Sequence, residues 1–290
     1  MEKKITAGAS SAVISTFGAE LKSLILNGRE LMWSGDPKYW KKTSPVLFPA
    51  VGGLRDGCTL IDGDMYALPK HGFARDNEFE CTSEIGSSLI FTLSDNTETL
   101  KMFPFRFNFS LCYTLTENSL EIVYQVENKS DVLMPFCIGA HPAFACPAEG
   151  WDFDDYRLVF QEKETVCSPV LDARTRLFKK EVGVWRLKNS SEYPLSYPLF
   201  DNDVLYFRGI ASKSVALLNN ADSGVRVTWE GFSSLGVWTP AGMNAPFVCI
   251  EPWCGCDDFE DGSGDFRDKP EVQTCLPGGS KYYVLTIESV

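Results

Sequence analysis

No run of Lys and Arg occurs anywhere in the 290 residues, and 27 Lys+Arg face 39 Asp+Glu for a net charge of −12. Nucleic acids and anionic lipid surfaces both need a positive face, so neither is an expected partner. Long apolar stretches are missing as well. The longest uncharged segment, residues 231–250, is interrupted by Gly236, Pro240, Gly242, Asn244 and Pro246, which makes it a poor membrane span. The Met-Glu-Lys-Lys start lacks the apolar core and small-residue cleavage site of a signal peptide. A soluble cytoplasmic protein is the expectation.

Cysteine is plentiful but unpatterned. The ten cysteines are scattered, and several, such as Cys112, Cys137 and Cys249, sit inside apolar runs. Reduced thiols packed as small hydrophobes fit that distribution better than disulfides. The one close pair, Cys254-Gly-Cys256, lacks the paired CxxC knuckles of a structural zinc site. Also missing are a sustained three-to-four-residue apolar stripe, a repeat of fixed period, a low-complexity tract and a linker. That leaves residues 36–42 and 257–261 as candidates for no more than single helical turns.

What is there is alternation with period two. Phe107, Phe109, Leu111, Tyr113 and Leu115 share one face. After a short turn, Leu120, Ile122, Tyr124 and Val126 repeat the pattern, which predicts a hairpin of two half-buried strands. Leu89, Phe91 and Leu93 alternate in the same way, as do Val225, Val227 and Trp229. Leu21–Leu26, Asn27-Gly28 and residues 29–33 read as a second hairpin, because Asn-Gly supplies the two positive φ angles of a type I′ turn. Gly and Pro are spread throughout, as turns require. One all-β domain over residues 1–290 follows, a large antiparallel β-sandwich with few short helices.

Only two histidines exist, and each has an unusual setting. His71 lies in Pro69-Lys-His-Gly-Phe-Ala-Arg75. His141 lies in Ile138-Gly-Ala-His-Pro-Ala-Phe144, within a segment, 132–148, that has no charged residue and three prolines. Glu251 closes the uncharged segment 231–250 and precedes Pro252-Trp253, and another uncharged segment, 43–54, runs into Arg55. Burying an unpaired charge in such surroundings costs several kcal/mol, so groups kept there are usually paired, hydrogen-bonded or functional. Each taken singly is an ordinary structural residue; the three together point to a site. A neutral imidazole, with an unperturbed pKa of about 6.5, gives or takes a proton at neutral pH, and a carboxylate supplies the opposing base. With no obvious nucleophile, the pair suits proton transfer on a polyhydroxylated substrate. Trp229, Phe232, Trp238, Phe247 and Trp253 provide aromatic faces for sugar rings, although most strand aromatics belong to the core.

Two other readings of the same residues stay open. A carbohydrate-binding module would use the aromatics but has no need of two histidines and a buried glutamate. A metalloenzyme would use His71, His141 and Glu251 as a two-His-one-carboxylate triad, but no HxH or HxxE spacing supports one.

Gly18-Ala-Glu-Leu-Lys-Ser-Leu, His71-Gly-Phe-Ala-Arg75, Gly139-Ala-His-Pro-Ala-Phe144 and Phe247-Val-Cys-Ile-Glu-Pro-Trp253 together resemble the aldose 1-epimerase (galactose mutarotase) family, most closely its LacX-like branch. The resemblance spans nearly the whole chain, in order. It implies a β-supersandwich with a sugar cleft on its concave face. It implies Glu251 as general base on the anomeric hydroxyl, His141 as general acid on the ring oxygen and His71 as the residue that orients the sugar. Arg55 and Asp203 match an arginine and an aspartate that line family sites, with Asp201 an adjacent alternative to Asp203. Arg75 and Trp238 complete the expected sugar contacts, and Arg75 with Arg55 forms a candidate clamp for a phosphorylated hexose. Ala143-Phe144-Ala145 departs from the galactose-specific pattern after His-Pro, which puts galactose itself in question. The implied reaction opens the C1–O5 bond and recloses it on the other face. It needs no metal and no organic cofactor, and its partner is a small sugar. A monomer or homodimer is expected.

Overall fold

The computed structural model describes residues 1–172 and 174–290. Among the described residues, the strands assemble into antiparallel sheets. The largest has nine strands, in the spatial order Phe178–Pro194, Arg157–Leu171, Ser214–Leu218, Gly224–Glu230, Ser280–Ser289, Ser119–Asn128, Phe107–Leu115, Ser88–Ser94 and Glu80–Ile85. A second sheet runs Leu205–Arg208, Ser234–Trp238, Phe247–Cys254, Ile138–Ala140 and Val46–Leu47, and Ala143–Ala145 also pairs with Phe247–Cys254. A four-stranded sheet at the start of the chain runs Glu2–Ala7, Ser10–Ser15, Leu21–Leu26 and Arg29–Glu30.

The expected hairpins form, the second with a return strand of only Arg29–Glu30. Phe107–Leu115 alternates buried and half-buried at every step and pairs antiparallel with Ser119–Asn128, Leu111 opposite Tyr124. Asn27 and Gly28 both take positive φ, 52° and 79°, between Leu21–Leu26 and Arg29–Glu30. The inward faces feed one contiguous apolar cluster. It includes Phe48, Phe73, Phe103, Phe107, Phe109 and Phe136, and Phe48 touches each of the other five rings. Burying one such side chain contributes about 1.5–3 kcal/mol, so this phenylalanine cluster is a major stabilising element.

Helical content differs in place from the expectation. Residues 36–42 and 257–261 form turns without a helix. An α-helix instead spans Thr97–Met102. Asn96 caps it by accepting from the Glu98 and Thr99 N–H groups, and the Thr99 hydroxyl accepts from the Asn96 N–H in return. That reciprocal cap, not an apolar stripe, is what specifies so short a helix.

The strand Phe247–Cys254 is the one that matters for function. It is buried at all eight positions. Val248 and Ile250 enter the main core, whereas Phe247 and Cys249 join a smaller cluster with Trp33, Ala143 and Ala245, against which Tyr39, Trp40 and Trp238 pack. Glu251 is in register with Phe247 and Cys249, since alternate residues of a strand share a face.

Candidate active site

Each of the three singled-out residues reaches one cavity of about 200 Å³, from a different part of the fold. Glu251 comes from the central strand Phe247–Cys254. It is 1% exposed, and neither of its carboxylate oxygens makes a well-aligned hydrogen bond. His141 stands in the corner between Ile138–Ala140 and Ala143–Ala145, both paired to that same strand. Its ring stacks on Trp40 at 4.9 Å and meets the edge of Trp238 at 5.9 Å. His141 Nε2 lies 3.1 Å from Glu251 Oε2. The two groups are thus in direct contact.

His71 reaches the cavity from a loop whose geometry is tightly specified. Its φ is +66°, a left-handed conformation that costs a non-glycine residue about 1–3 kcal/mol unless its surroundings hold it. The surroundings do hold it. The His71 N–H donates to the Gly52 carbonyl at 2.9 Å, and the Gly52 N–H donates back to His71 Nδ1 at 3.2 Å. With Nδ1 accepting, the neutral ring carries its proton on Nε2. Gly72 follows at φ +71°, so close to Phe48 that a Cβ would lie 2.2 Å from its carbonyl oxygen. Gly52 is equally confined, since a Cβ there would lie 2.2 Å from the Asp257 nitrogen. The His71 and His141 rings meet edge to face at 5.8 Å.

Burial sets the proton affinities. It pushes Glu251 well above the ordinary carboxylate value, with Lys70 opposing and Asp203 and Asp257 adding to the rise. Burial likewise lowers His141 to about 3, helped by the charge of Arg75. His71 is lowered well below its usual value, first by burial, then by Lys70 and His141. Both shifts favour the uncharged forms, a protonated Glu251 beside a neutral His141, so the pair carries one proton over a broad pH range.

Arg75, Asp203 and Trp238 also line this cavity. Asp203 sits at φ +74° and forms an ion pair with Arg176. Asp201 instead ends the Tyr197–Phe200 turn and does not line the cavity. Arg75 donates to the Lys70 carbonyl at 2.8 Å. Arg55 is a correction: it does not line the cavity. Its guanidinium donates to the carbonyls of Phe259, at 2.8 Å, and Glu260, at 2.6 Å. The segment before it delivers the Gly52 backbone to His71 and the Gly53 N–H to Asp257 at 2.7 Å, and the chain has turned away by Arg55. Of the aromatics, Trp238 and Trp253 line the cavity, whereas Trp229 and Phe232 belong to the main core.

Trp40, Lys70, Arg176 and Asp257 also line the cavity, and the sequence did not single them out. Lys70 sits inside the His71 motif and was legible there. Trp40 and Arg176 carry no local signal. The segment around Trp40 is fastened from a distance: Glu20 accepts from the Thr43 and Ser44 N–H groups, and the Trp33 indole donates to the Trp40 carbonyl at 2.9 Å. Arg176 comes from the turn joining the long strands Arg157–Leu171 and Phe178–Pro194.

Residues 3–261 match the family model described as aldose 1-epimerase. The chain belongs to the aldose 1-epimerase family. It is 33% identical over 283 residues to the chromosomal protein LacX of Lactococcus lactis subsp. lactis, covering 94% of each chain. A galactose mutarotase related enzyme from Lactobacillus acidophilus superposes with a TM-score of 0.93 at 31% identity, over 100% of this chain and 97% of the other. A galactose mutarotase-like protein from Lactobacillus casei ATCC 334 superposes with a TM-score of 0.92 at 28% identity, over the whole of both chains. Membership carries a mutarotase-type isomerase function and the all-β fold described above. Among the described residues, no helix is long and apolar enough to cross a membrane.

Proposed function

We propose that this protein is an aldose 1-epimerase that interconverts the α and β anomers of an aldohexose, with Glu251 and His141 as its acid–base pair. The observation that supports this most directly is their 3.1 Å contact in a buried cavity, with neither carboxylate oxygen in a well-aligned hydrogen bond. The two oxygens that exchange protons in mutarotation, the anomeric hydroxyl and the ring oxygen, are bonded to the same carbon. Their base and acid must therefore be neighbours, which this pair is.

Once the pair's proton has passed from Glu251 to His141 across their 3.1 Å contact, Glu251 takes the proton of the C1 hydroxyl while His141 Nε2 protonates the ring oxygen. The C1–O5 bond breaks to the open aldehyde. Rotation about C1–C2 turns the other carbonyl face to the ring hydroxyl, and closure with the roles exchanged gives the other anomer. Net protonation is unchanged over the cycle, so no bulk proton transfer is required. His71 donates from Nε2 and orients the sugar. Trp40 and Trp238 hold the His141 ring, and Asp203 and Arg75 contact hydroxyls. General acid–base catalysis contributes about 10²–10⁴-fold and positioning adds more. Glu251 and His141 Nδ1 make no well-aligned hydrogen bond within the protein, so a ligand rich in hydroxyls can satisfy them. The cavity is smaller than the ~300–1,000 Å³ of drug-sized sites, in keeping with one sugar ring.

A second substrate class is favoured by a specific feature. Lys70, Arg75 and Arg176 line the cavity of a chain whose net charge is −12. With Arg55 turned away, any phosphate clamp would use these three groups. Anomer exchange measured across free and 6-phosphorylated aldohexoses tests both readings. Acceleration of free sugars alone supports the first, acceleration confined to phosphorylated sugars supports the second, and acceleration of neither removes both.

A further inference from the structure

Cys249 precedes Glu251 by two residues on Phe247–Cys254, so its thiol projects from the same face, one step along the strand. The His141 corner is hydrogen-bonded to this stretch: the Ile250 N–H donates to the Pro142 carbonyl at 3.1 Å, and Ala143 pairs with Cys249. As a result, one nitrogen of His141, the Sγ of Cys249 and one oxygen of Glu251 all lie within 4.8 Å of one another, and all three residues are buried. The catalytic reading uses two of these groups and leaves the thiol idle.

We propose that His141, Cys249 and Glu251 form a binding site for a zinc-type divalent cation, and that an ion held there inhibits the enzyme. The donor set is one nitrogen, one sulfur and one oxygen. That mixture suits Zn(II) and Co(II), whereas Mg(II) and Ca(II) require oxygen ligands. Bonds of about 2.0–2.3 Å to a central ion set its ligand atoms roughly 3.3–3.6 Å apart, so His141 Nε2 and Glu251 Oε2, now 3.1 Å apart, need little movement and side-chain rotation has only to bring the thiol in. Charge also balances, because a thiolate and a carboxylate cancel the ion and no net charge is buried. The Glu251 oxygens are buried and make no well-aligned hydrogen bond, and Oε2 already lies beside the His141 nitrogen, so the ion enters where two ligand atoms stand together. His141 and Glu251 line the cavity, which gives an ion its route to the site. Binding is ligand exchange without redox: the Zn–S, Zn–N and Zn–O bonds form, and the thiol proton and the proton shared by Glu251 and His141 leave to solvent. The inhibitory consequence rests on the acid–base role proposed above, whereas the binding does not.

Co(II) titration reads the binding directly. The wild-type protein is expected to develop a thiolate-to-cobalt absorption band saturating at one equivalent, and both Cys249→Ala and His141→Asn are expected to lack it. In the anomer-exchange assay, Zn(II) should inhibit the wild type and a chelator should restore it. Cys249→Ala should keep its rate and need more Zn(II) for the same inhibition, by over the ~10–100-fold typical of losing an outer-sphere partner. A band that persists in Cys249→Ala, no band in the wild type, or equal Zn(II) sensitivity of the two proteins each overturns the proposal. Should the protein catalyse no anomer exchange, the cobalt band still decides the site, so the two readings fail separately.

Discussion

His141 Nε2 stands 3.1 Å from Glu251 Oε2, yet neither oxygen of that carboxylate makes a well-aligned hydrogen bond. Two groups that could neutralise each other are thus held in contact, short of a formed bond, in a site from which burial removes most of the solvent. The arrangement costs stability and leaves both groups free for a ligand. It also ties proton affinity, pH response and stability to the same two side chains.

Removing either partner is expected to abolish turnover and spare binding. Glu251→Gln and His141→Asn keep the shape of each side chain and should each lower the polarimetric rate by about 10²–10⁴-fold. Sugar binding followed by tryptophan fluorescence, with Trp40 and Trp238 at the cavity, should persist. Rates near wild type in both variants remove the proposed mechanism.

The acidic limb of the pH–rate profile is expected far below the usual histidine range. The pair works with one proton, and adding a second means charging His141, which burial holds down to about 3. Activity should therefore persist at pH 5, where an exposed imidazole would already be protonated. An acidic limb near pH 6.5 contradicts this placement.

Stability should respond to pH through Glu251. Its affinity for a proton is raised in the folded protein, so the folded state binds more protons than the unfolded state once pH exceeds the ordinary carboxylate value. The sign is then fixed: this group's contribution is present below pH ~4.5 and is lost as pH rises through the raised value. Glu251→Gln removes that loss. Its melting temperature relative to wild type should climb as pH rises above about 5, and a constant difference from there upward would refute the shift.

Trp40 is expected to act through His141. The indole stacks on the imidazole at 4.9 Å and touches Trp238 and Phe247. Trp40→Ala should lower kcat by up to about 10²-fold, the scale of a 1 Å misplacement, while the pH profile keeps its shape. Trp40→Phe should recover most of the loss. An unchanged kcat in Trp40→Ala would mean that the stack does not position the acid.

Gly72→Ala is expected to destabilise by at least about 2 kcal/mol, since the residue sits at φ +71° and its Cβ would lie 2.2 Å from a carbonyl oxygen. Urea unfolding measures it. A midpoint equal to wild type would show that the His71 loop is more compliant than its hydrogen bonds suggest.

Strand alternation, the Asn27-Gly28 turn and the settings of His71, His141 and Glu251 were all readable from the chain, because each depends on neighbours a few residues away. The Thr97–Met102 helix left a trace in Asn96 and Thr99, but its cap is too short a signal to stand out. Contact between strands is different. Trp40 and Arg176 enter the cavity only because Glu20 fastens one segment and a long hairpin carries the other, and no local pattern encodes either. Arg55 shows the converse: a residue beside a suggestive motif turned away, because the backbone of Gly52 and Gly53, not the arginine side chain, is what the motif brings to the site. Which residues could do chemistry was decided by residue type and local pattern. That Cys249, Glu251 and His141 come within 4.8 Å of one another was decided by pairing between strands over a hundred residues apart in sequence, where only the closed sheet brings the atoms together.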